Sequence, residues 1–319
     1  NYLLRVKKRR NLYRQLGIPA LANKGSRVIE FGSGGGYNAL LLLNEFGCSH
    51  IDLVEPNETG RQEIEILFDQ YNIGKELYTV HSDILENYYT NETYDIIIAE
   101  QFFHTFDNWK CCLQSLKRLA HKDSIIVFTC ENEIGLYVES MKRAVARYYV
   151  KDVDSYDKKV DLLCKFFEGQ LKNMPYMSRP IKDWVEDQIF CTAECSECLM
   201  NIKDAMLDYQ FEFDILGTSQ NIFTDWSWYK EWDYNYYQDY LKQYDEKKHM
   251  FLIAGECEEY RRSQNENETL EKAVIDANRT AWAIENGSFD IGVLKSKVEK
   301  VTESIDNCVI KDFNEELIK

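Results

Sequence analysis

One short segment concentrates the residue types that bind a cofactor. It contains Val28-Ile29-Glu30-Phe31-Gly32-Ser33-Gly34-Gly35-Gly36-Tyr37-Asn38, where an apolar run ends and a helical pattern begins. Glycines without Cβ atoms let the backbone turn tightly and approach a ligand, and the free amides at a helix N-terminus offer hydrogen bonds. The segment therefore predicts a site for a nucleotide-like ligand.

The spacing of the glycines indicates which kind of nucleotide. Gly32, Gly34 and Gly36 follow a G-x-G-x-G pattern, and the sixth position counted from Gly32 is Tyr37. That side chain is too large for the close helix packing that the third small residue of a dinucleotide fingerprint permits. Glu55 stands at the end of the next predicted strand, where a carboxylate can accept hydrogen bonds from ribose hydroxyls. A dehydrogenase is therefore disfavoured.

With Glu30 two residues before the first glycine, the segment resembles the first motif of the class I S-adenosylmethionine-dependent methyltransferases, an acidic residue followed by G-x-G-x-G. The resemblance covers residues 27–130 well. It covers two later predicted strands, at 210–216 and 249–255, only loosely. It implies S-adenosylmethionine as the cofactor, with the methionine part surrounded by Glu30, Gly32, Gly34 and Gly36, the ribose bound by Glu55, the adenine flanked by Asp83 and Ile84, and Glu100 and Gln101 beside the cofactor.

A catalytic base is expected only if the acceptor keeps its proton. His104 lies in the segment that follows the fourth strand, where this family meets its substrate, and an imidazole titrates near working pH. The alternative is a structural histidine, because methyl transfer can proceed by alignment alone. The segment Glu100-Gln101-Phe102-Phe103 lacks the Pro-Pro of the DNA amino-methylating members, which argues against a nucleic-acid acceptor.

Three of the ten cysteines have a spacing that is compatible with a metal site. Cys191, Cys195 and Cys198 reproduce the spacing with which radical S-adenosylmethionine enzymes hold an iron–sulfur cluster, and three thiolates could also bind zinc with a fourth ligand. The triplet stands late in a helical region, Glu197 precedes the third cysteine, and no fourth Cys or His follows at finger spacing. We therefore expect unligated thiols and no metal.

An aromatic run from Phe223 to Tyr240 is the candidate acceptor pocket. Large rings with a polar edge can line a pocket for a sugar or an aromatic acceptor, whereas the alternative is a helix that covers the sheet. The leading prediction is a methyltransferase that acts on a small molecule by in-line displacement. The alternatives are a protein side-chain methyltransferase and a non-catalytic subunit that binds S-adenosylmethionine.

The elements that must position these residues alternate along the chain. Five strands are predicted at 27–31, 50–54, 77–81, 94–99 and 124–129, with helices at 37–46, 60–71 and 108–120, a rhythm typical of a doubly wound parallel sheet. Two late strands are predicted at 210–216 and 249–255. The fold class is therefore α/β and Rossmann-like, and the resemblance implies a mostly parallel seven-stranded sheet with a helical insertion and a helical C-terminal tail.

Five regions follow from this pattern: a lead-in helix (1–26), the cofactor-binding core (27–130), a helical insertion (131–206), the late strands with the aromatic segment (207–257) and the helical tail (258–319). The last helix carries an apolar stripe formed by Ile291, Leu294, Val298, Val301, Ile305 and Cys308. The stripe predicts either docking on its own domain or a homo-oligomer.

Composition excludes other classes of partner. The formal charge is −16, which repels a phosphate backbone, so no nucleic-acid partner is expected. No apolar run approaches the roughly 18 residues that would span a bilayer. Ten cysteines scattered over a large chain fit a reducing compartment, so the expected location is the cytoplasm.

Overall fold

The computed structural model describes residues 2–101, 103, 108–173, 179–190, 199–209, 212–226, 228–230, 236–252, 261–288 and 290–306. In these residues one parallel sheet has five strands in the order β3-β2-β1-β4-β5. The strands are β1 (Arg27–Phe31), β2 (His50–Val54), β3 (Tyr78–His81), β4 (Tyr94–Ala99) and β5 (Ala120–Phe128).

The sheet is parallel because a helix returns the chain to the same edge after β1, β2 and β4, and residues 82–93, which contain no helix, do so between β3 and β4. The central strands are almost fully buried, as continuous apolar runs such as the one in β4 predict for a sheet covered on both faces. The chain proceeds outward from β1 to β2 and β3, then crosses to β4 and β5. The strand order thus reverses between the neighbouring strands β1 and β4. Ligands bind at the carboxyl ends of the strands at such a reversal point.

Helices cover the sheet and orient its loops. They are α1 (Tyr2–Gln15), α2 (Ala20–Asn23), α3 (Tyr37–Phe46), α4 (Glu58–Gln70) and α5 (Trp109–Arg118). Asn57 and Asn108 cap α4 and α5 with side-chain hydrogen bonds from backbone amides. The Tyr13 ring of α1 lies 5.4 Å from the Phe46 ring of α3, so the lead-in helix packs on the helix that follows the glycine turn.

The prediction of two late strands, at 210–216 and 249–255, is wrong. Among the described residues the sheet has five strands, not seven. Residues 212–216 are irregular, because the chain lies there against the end of α1, with Leu216 next to Gly17, and because Tyr237 donates to the Phe213 carbonyl. Residues Lys248–Leu252 form a single helical turn. A short apolar run is compatible with a buried strand and with a buried helical turn, so periodicity alone could not decide.

The chain divides into two compact units, one of Asn1–Cys130 with Ile202–Leu241 and one of Glu131–Asn201 with Lys242–Lys319. The remaining helices are α6 (Glu133–Tyr149), α7 (Tyr156–Asn173), α8 (Ile181–Val185), α9 (Ile202–Tyr209), α10 (Tyr236–Lys247), α11 (Gln264–Glu285) and α12 (Ile291–Asp306). In the second unit α11 packs along both α6 and α12. The predicted insertion and tail therefore contribute helices to one common core.

The apolar stripe of α12 packs inside this second unit. Leu294 and Val301 are buried, Leu294 in a cluster with Ala281 and Ile284, and Val301 in a cluster with Leu270. Ile291, Val298 and Ile305 are partly buried against the same clusters, and Cys308 lies outside the described residues. The first of the two alternatives for the stripe, docking on its own chain, is what the structure shows.

Two further predictions concern the membrane and the cysteines. In the part of the chain that the structure describes, no helix is long and apolar enough to cross a membrane. The described cysteines Cys48, Cys111, Cys112, Cys130 and Cys164 are free thiols. The Cys191, Cys195 and Cys198 triplet lies outside the described residues, and among the residues that the structure does describe no group of three or more His, Cys, Asp or Glu side chains could hold a metal ion.

Candidate cofactor site

The predicted cofactor residues meet at the carboxyl edge of the sheet. Because the strands are parallel and in register, the last residues of β1, β2 and β4 are direct neighbours: Phe31 pairs with Val54 and with Ala99. The chain leaves these strands into the glycine turn, Glu55 and Glu100, and β3 ends at His81, two residues before Asp83. The fold thus brings together residues that are far apart in sequence.

The glycine turn joins β1 to α3 by a left-handed backbone. Gly34 has φ 50°, and a Cβ atom placed there would meet nothing within 4 Å. Gly36 has φ 76°, and a Cβ atom there would lie 2.9 Å from Ile64 Cγ1 and 3.3 Å from Phe68 Cε1. The turn therefore needs glycine at Gly36 for packing against α4, whereas the surface at Gly34 is open to a ligand.

Glu55 ties the turn to the end of β2. Its Oε2 accepts a hydrogen bond from the Gly34 amide at 2.7 Å, and its Oε1 accepts from the Asn57 amide at 2.9 Å. The side chain is buried. Each carboxylate oxygen has a second lone pair, so both can still accept a hydrogen bond from a ligand hydroxyl.

Glu30, at the end of β1, has one carboxylate oxygen without a partner. Oε1 accepts from Asn38 Nδ2 at 2.7 Å, whereas Oε2 is buried and has no hydrogen bond among the described residues. Burial raises the pKa of Glu30 to about 7; the Asn38 hydrogen bond and the charge of Arg9 lower it, and the charges of Glu100 and Glu55 raise it further. A cationic ligand group would satisfy the free oxygen and favour its ionised form.

Arg9 enters the site from the lead-in helix. Its Nη1 donates to Glu100 Oε1 at 2.7 Å, and both side chains are mostly buried. Arg9 is not among the residues that the sequence pattern predicts for the site. The available signal was the helical period of α1, since Val6 and Tyr13, three and four residues from Arg9, are buried on the same face of the helix.

Other polar atoms near the turn also lack partners. Ser33 Oγ and Asn38 Oδ1 are buried without a hydrogen bond among the described residues. Buried polar groups in folded proteins are normally hydrogen-bonded, so an unpaired set around one turn indicates a ligand that completes it. Neither side chain was among the predicted site residues, although both stand in the segment that carries the glycines.

The remaining predicted residues lie at the same edge with different exposure. Asp83 Oδ1 accepts from the Ile84 amide at 2.8 Å, and both side chains are partly buried. Gln101 is exposed, has φ 62°, and its amide donates to Thr129 Oγ1 at 3.1 Å. A left-handed φ in a residue other than glycine is uncommon and is frequent at functional sites.

His104, the predicted catalytic base, lies outside the described residues and stays a prediction. Its described neighbour Phe103 is buried, with its ring 5.9 Å from Phe128, and the Phe128 ring lies 6.0 Å from Tyr209. Aromatic rings therefore surround the carboxyl ends of β4 and β5. In the predicted acceptor run, the described Trp226, Trp228 and Tyr229 are exposed.

A parallel sheet with a G-x-G-x-G turn at its switch point and a carboxylate at the end of β2 defines a Rossmann-like nucleotide-cofactor domain. Residues 5–150 match the model of a family described as a methyltransferase domain. This part of the chain is therefore similar to a methyltransferase domain, in agreement with the predicted class and with S-adenosylmethionine as the expected cofactor. No curated protein matches the chain.

Solved structures with a similar fold include methyltransferases. PKMT2 from Rickettsia typhi is 15% identical, with a TM-score of 0.46, covering 63% of this chain and 41% of that chain. A S-adenosylmethionine dependent methyltransferase from Mesorhizobium loti is 15% identical, with a TM-score of 0.33, covering 38% and 53%. The chain spans about half of the length of the structures it matches.

Proposed function

We propose that this chain transfers a methyl group from S-adenosylmethionine to a small-molecule acceptor. The cofactor supplies a methyl group activated by its attachment to a sulfonium. The observation that carries the proposal is the buried Oε2 of Glu30, which lacks a partner beside a glycine turn that is open at Gly34. A carboxylate in that position suits the ammonium group of the methionine part.

The charge of the site supports a cationic cofactor. Glu30, Glu55 and Glu100 bring three carboxylates to the edge of the sheet. The charges of Glu55, Glu100 and Arg9 all act on the pKa of Glu30, although burial has the larger effect. A dinucleotide would place an anionic pyrophosphate among them. Like charges in a poorly solvated site repel strongly, so a dehydrogenase is disfavoured on this ground as well.

The other cofactor residues take roles that follow from their positions. Glu55 accepts hydrogen bonds from the ribose hydroxyls. It uses the carboxylate lone pairs that the Gly34 and Asn57 amides leave free. Asp83 and Ile84 flank the adenine at the end of β3, and Glu100 and Gln101 lie beside the cofactor after β4. Gly32, Gly34 and Gly36 allow the backbone to approach the methionine part.

Methyl transfer is an in-line displacement, so the protein has to align the acceptor and exclude water. The partly buried ring of Phe128, at the end of β5 and packed beside the buried rings of Phe103 and Tyr209, offers apolar surface for an aromatic or sugar acceptor. His104 is the proposed base for an acceptor that keeps its proton. A His104→Gln variant with unchanged turnover across pH would remove it from the mechanism.

A protein side-chain acceptor is the second candidate, because a formal charge of −16 would attract a basic peptide. Transfer of labelled methyl groups to a pool of small metabolites, compared with Arg-rich and Lys-rich peptides, separates the two. Saturable transfer to peptides alone would favour the second candidate. Transfer to neither pool, with intact cofactor binding, would favour a non-catalytic subunit.

The cofactor itself is tested by calorimetric titration of the purified chain. We expect S-adenosylhomocysteine to bind with one site per chain and NAD to show no heat of binding. Binding of NAD without S-adenosylhomocysteine would overturn the proposed function.

A further inference from the structure

Helix α1 carries six basic residues, and only Arg9 points inward. Arg9 is partly buried, whereas the others are exposed: Arg5, Lys7, Lys8, Arg10 and Arg14. The reason is helical geometry, because Val6 and Tyr13 lie three and four residues from Arg9 and are buried on the same face. The Arg9 guanidinium, unlike the other basic side chains of α1, is shielded from water and therefore requires a partner within the protein or a ligand.

The partner that the structure shows uses only part of the guanidinium. Among the described residues Arg9 makes one hydrogen bond, from Nη1 to Glu100 Oε1 at 2.7 Å. A guanidinium has five N–H donors in a planar fork that matches a carboxylate with two parallel bonds. Arg9 therefore has donors left for a second carboxylate.

A second unpartnered group lies close to this guanidinium. The Tyr13 hydroxyl is buried and has no hydrogen bond among the described residues, and Arg9 Cζ lies 5.6 Å from the Tyr13 ring. The charges of Arg9, Glu100 and Glu30 all act on the Tyr13 hydroxyl, after the larger effect of burial on its pKa. Arg9, Tyr13, Glu30 and Glu100 thus form one polar cluster at the carboxyl edge of β1 and β4.

This cluster contains the two complementary groups that a free amino-acid end requires. Glu30 Oε2 is an unpaired acceptor for an ammonium, and Arg9 is a donor for a carboxylate. The two residues are close enough for the charge of Arg9 to act on Glu30. The methionine part of S-adenosylmethionine ends in such an ammonium and carboxylate pair.

We propose that Arg9 binds the carboxylate of the methionine end of the cofactor, which makes α1 a wall of the cofactor site. The inference rests on the proposed function. Glu100 holds the guanidinium in place through Oε1, so that Arg9 is oriented before the ligand arrives and little side-chain entropy is lost on binding.

The test compares two ligands that differ in the amino-acid end. S-adenosylhomocysteine has it, and 5′-methylthioadenosine keeps the adenosine and sulfur without it. In calorimetric titrations we expect Arg9→Met to weaken binding of S-adenosylhomocysteine by about 10- to 100-fold, the loss of a charge-assisted hydrogen bond of about 1.5–3 kcal/mol. Binding of 5′-methylthioadenosine should stay within about twofold.

Arg10→Met is the matched control. It removes the same charge from the same helix, and Arg10 contacts the exposed side of α3 through Glu45. Its affinity for both ligands should equal that of the wild type. Arg9→Lys keeps the charge without the planar fork, so we expect an intermediate preference for S-adenosylhomocysteine, and this variant carries the test if Arg9→Met does not fold.

Two results would overturn the inference while leaving the proposed function intact. One is an equal loss of affinity for both ligands in Arg9→Met and in Arg9→Lys, which would mean that Arg9 acts through the fold. The other is an unchanged preference between the ligands in both variants. Failure of the wild type to bind either ligand would instead overturn the proposed function.

Discussion

The carboxylate of Glu55 accepts a hydrogen bond from the amide of Gly34 at 2.7 Å, which fixes the glycine turn to the end of β2. The same carboxylate accepts from the Asn57 amide at 2.9 Å, at the start of α4. A single side chain therefore sets both the shape of the turn and the oxygens that face the proposed ribose.

Glu55→Gln is expected to weaken binding of S-adenosylhomocysteine by about tenfold or more. An amide has one acceptor oxygen, so it can serve only one of the two backbone donors and directs an NH₂ group at the other, at a cost of about 1.5–3 kcal/mol. Calorimetric titration measures the change. Glu58→Gln, an exposed neighbour on α4, is the control, and an equal effect in both variants would contradict the assignment.

Binding of S-adenosylmethionine is expected to strengthen as the pH rises through 7. Burial raises the pKa of Glu30 to about 7, and a cationic ligand favours the ionised form. At pH 6 only about a tenth of the protein would carry the charge, so affinity should be about tenfold lower than at pH 8. Glu30→Gln should bind weakly at both pH values. A wild-type affinity that is equal at pH 6 and pH 8 would argue against the role of Glu30.

The same group is expected to make stability depend on pH in the opposite direction. Because the pKa of Glu30 is raised from 4.5 to about 7 in the folded state, its contribution to stability is full below about pH 4.5 and is lost as the pH rises to about 7. The loss amounts to about 3 kcal/mol at most. Urea unfolding at pH 5 and pH 8 should show a smaller decrease for Glu30→Gln than for the wild type, and equal decreases would refute this.

Two glycine substitutions are expected to separate binding from stability. Gly34→Ala costs roughly 1–2 kcal/mol for its left-handed backbone, and its new methyl group enters the open space of the proposed ligand. Gly36→Ala adds contacts of 2.9 Å and 3.3 Å with Ile64 and Phe68 to the same backbone cost. The melting temperature should therefore fall more for Gly36→Ala than for Gly34→Ala. Gly34→Ala should stay folded and lose cofactor affinity. The reverse order would contradict the geometry of the turn.

The packing of α12 is tested by one substitution at two positions of the same helix. Val301 is 1% exposed and Val293 is 44% exposed. Val301→Ala should lower the free energy of unfolding of the second unit by about 2 kcal/mol through lost burial and a small cavity, whereas Val293→Ala should change it by less than about 0.5 kcal/mol. Denaturant unfolding measures both. Sedimentation of the two variants should match the wild type; dissociation of Val301→Ala into smaller species would show that the stripe also serves an oligomer.

The local elements of the first unit were predictable because their signals are local. Apolar runs such as the one in β4 and glycines at the end of β1 specify strands and a turn through burial and through the absence of a Cβ atom. The glycine spacing likewise excluded a dinucleotide fingerprint through the size of Tyr37. The predicted bounds of β1, β2 and β4 agree with the structure, and β5 begins earlier, at Ala120, than predicted.

The sequence by itself determined the order of strands and helices in residues 27–130, the glycine turn and the carboxylates that accompany it. Only the tertiary structure decided that Arg9 lies against Glu100, that residues 248–252 form a helical turn and not a strand, and that α11 packs along both α6 and α12. The physical reason is that periodicity and residue type report burial along one segment. Which segment supplies the partner, as Glu100 does for Arg9 across 91 residues, depends on contacts that no local pattern contains.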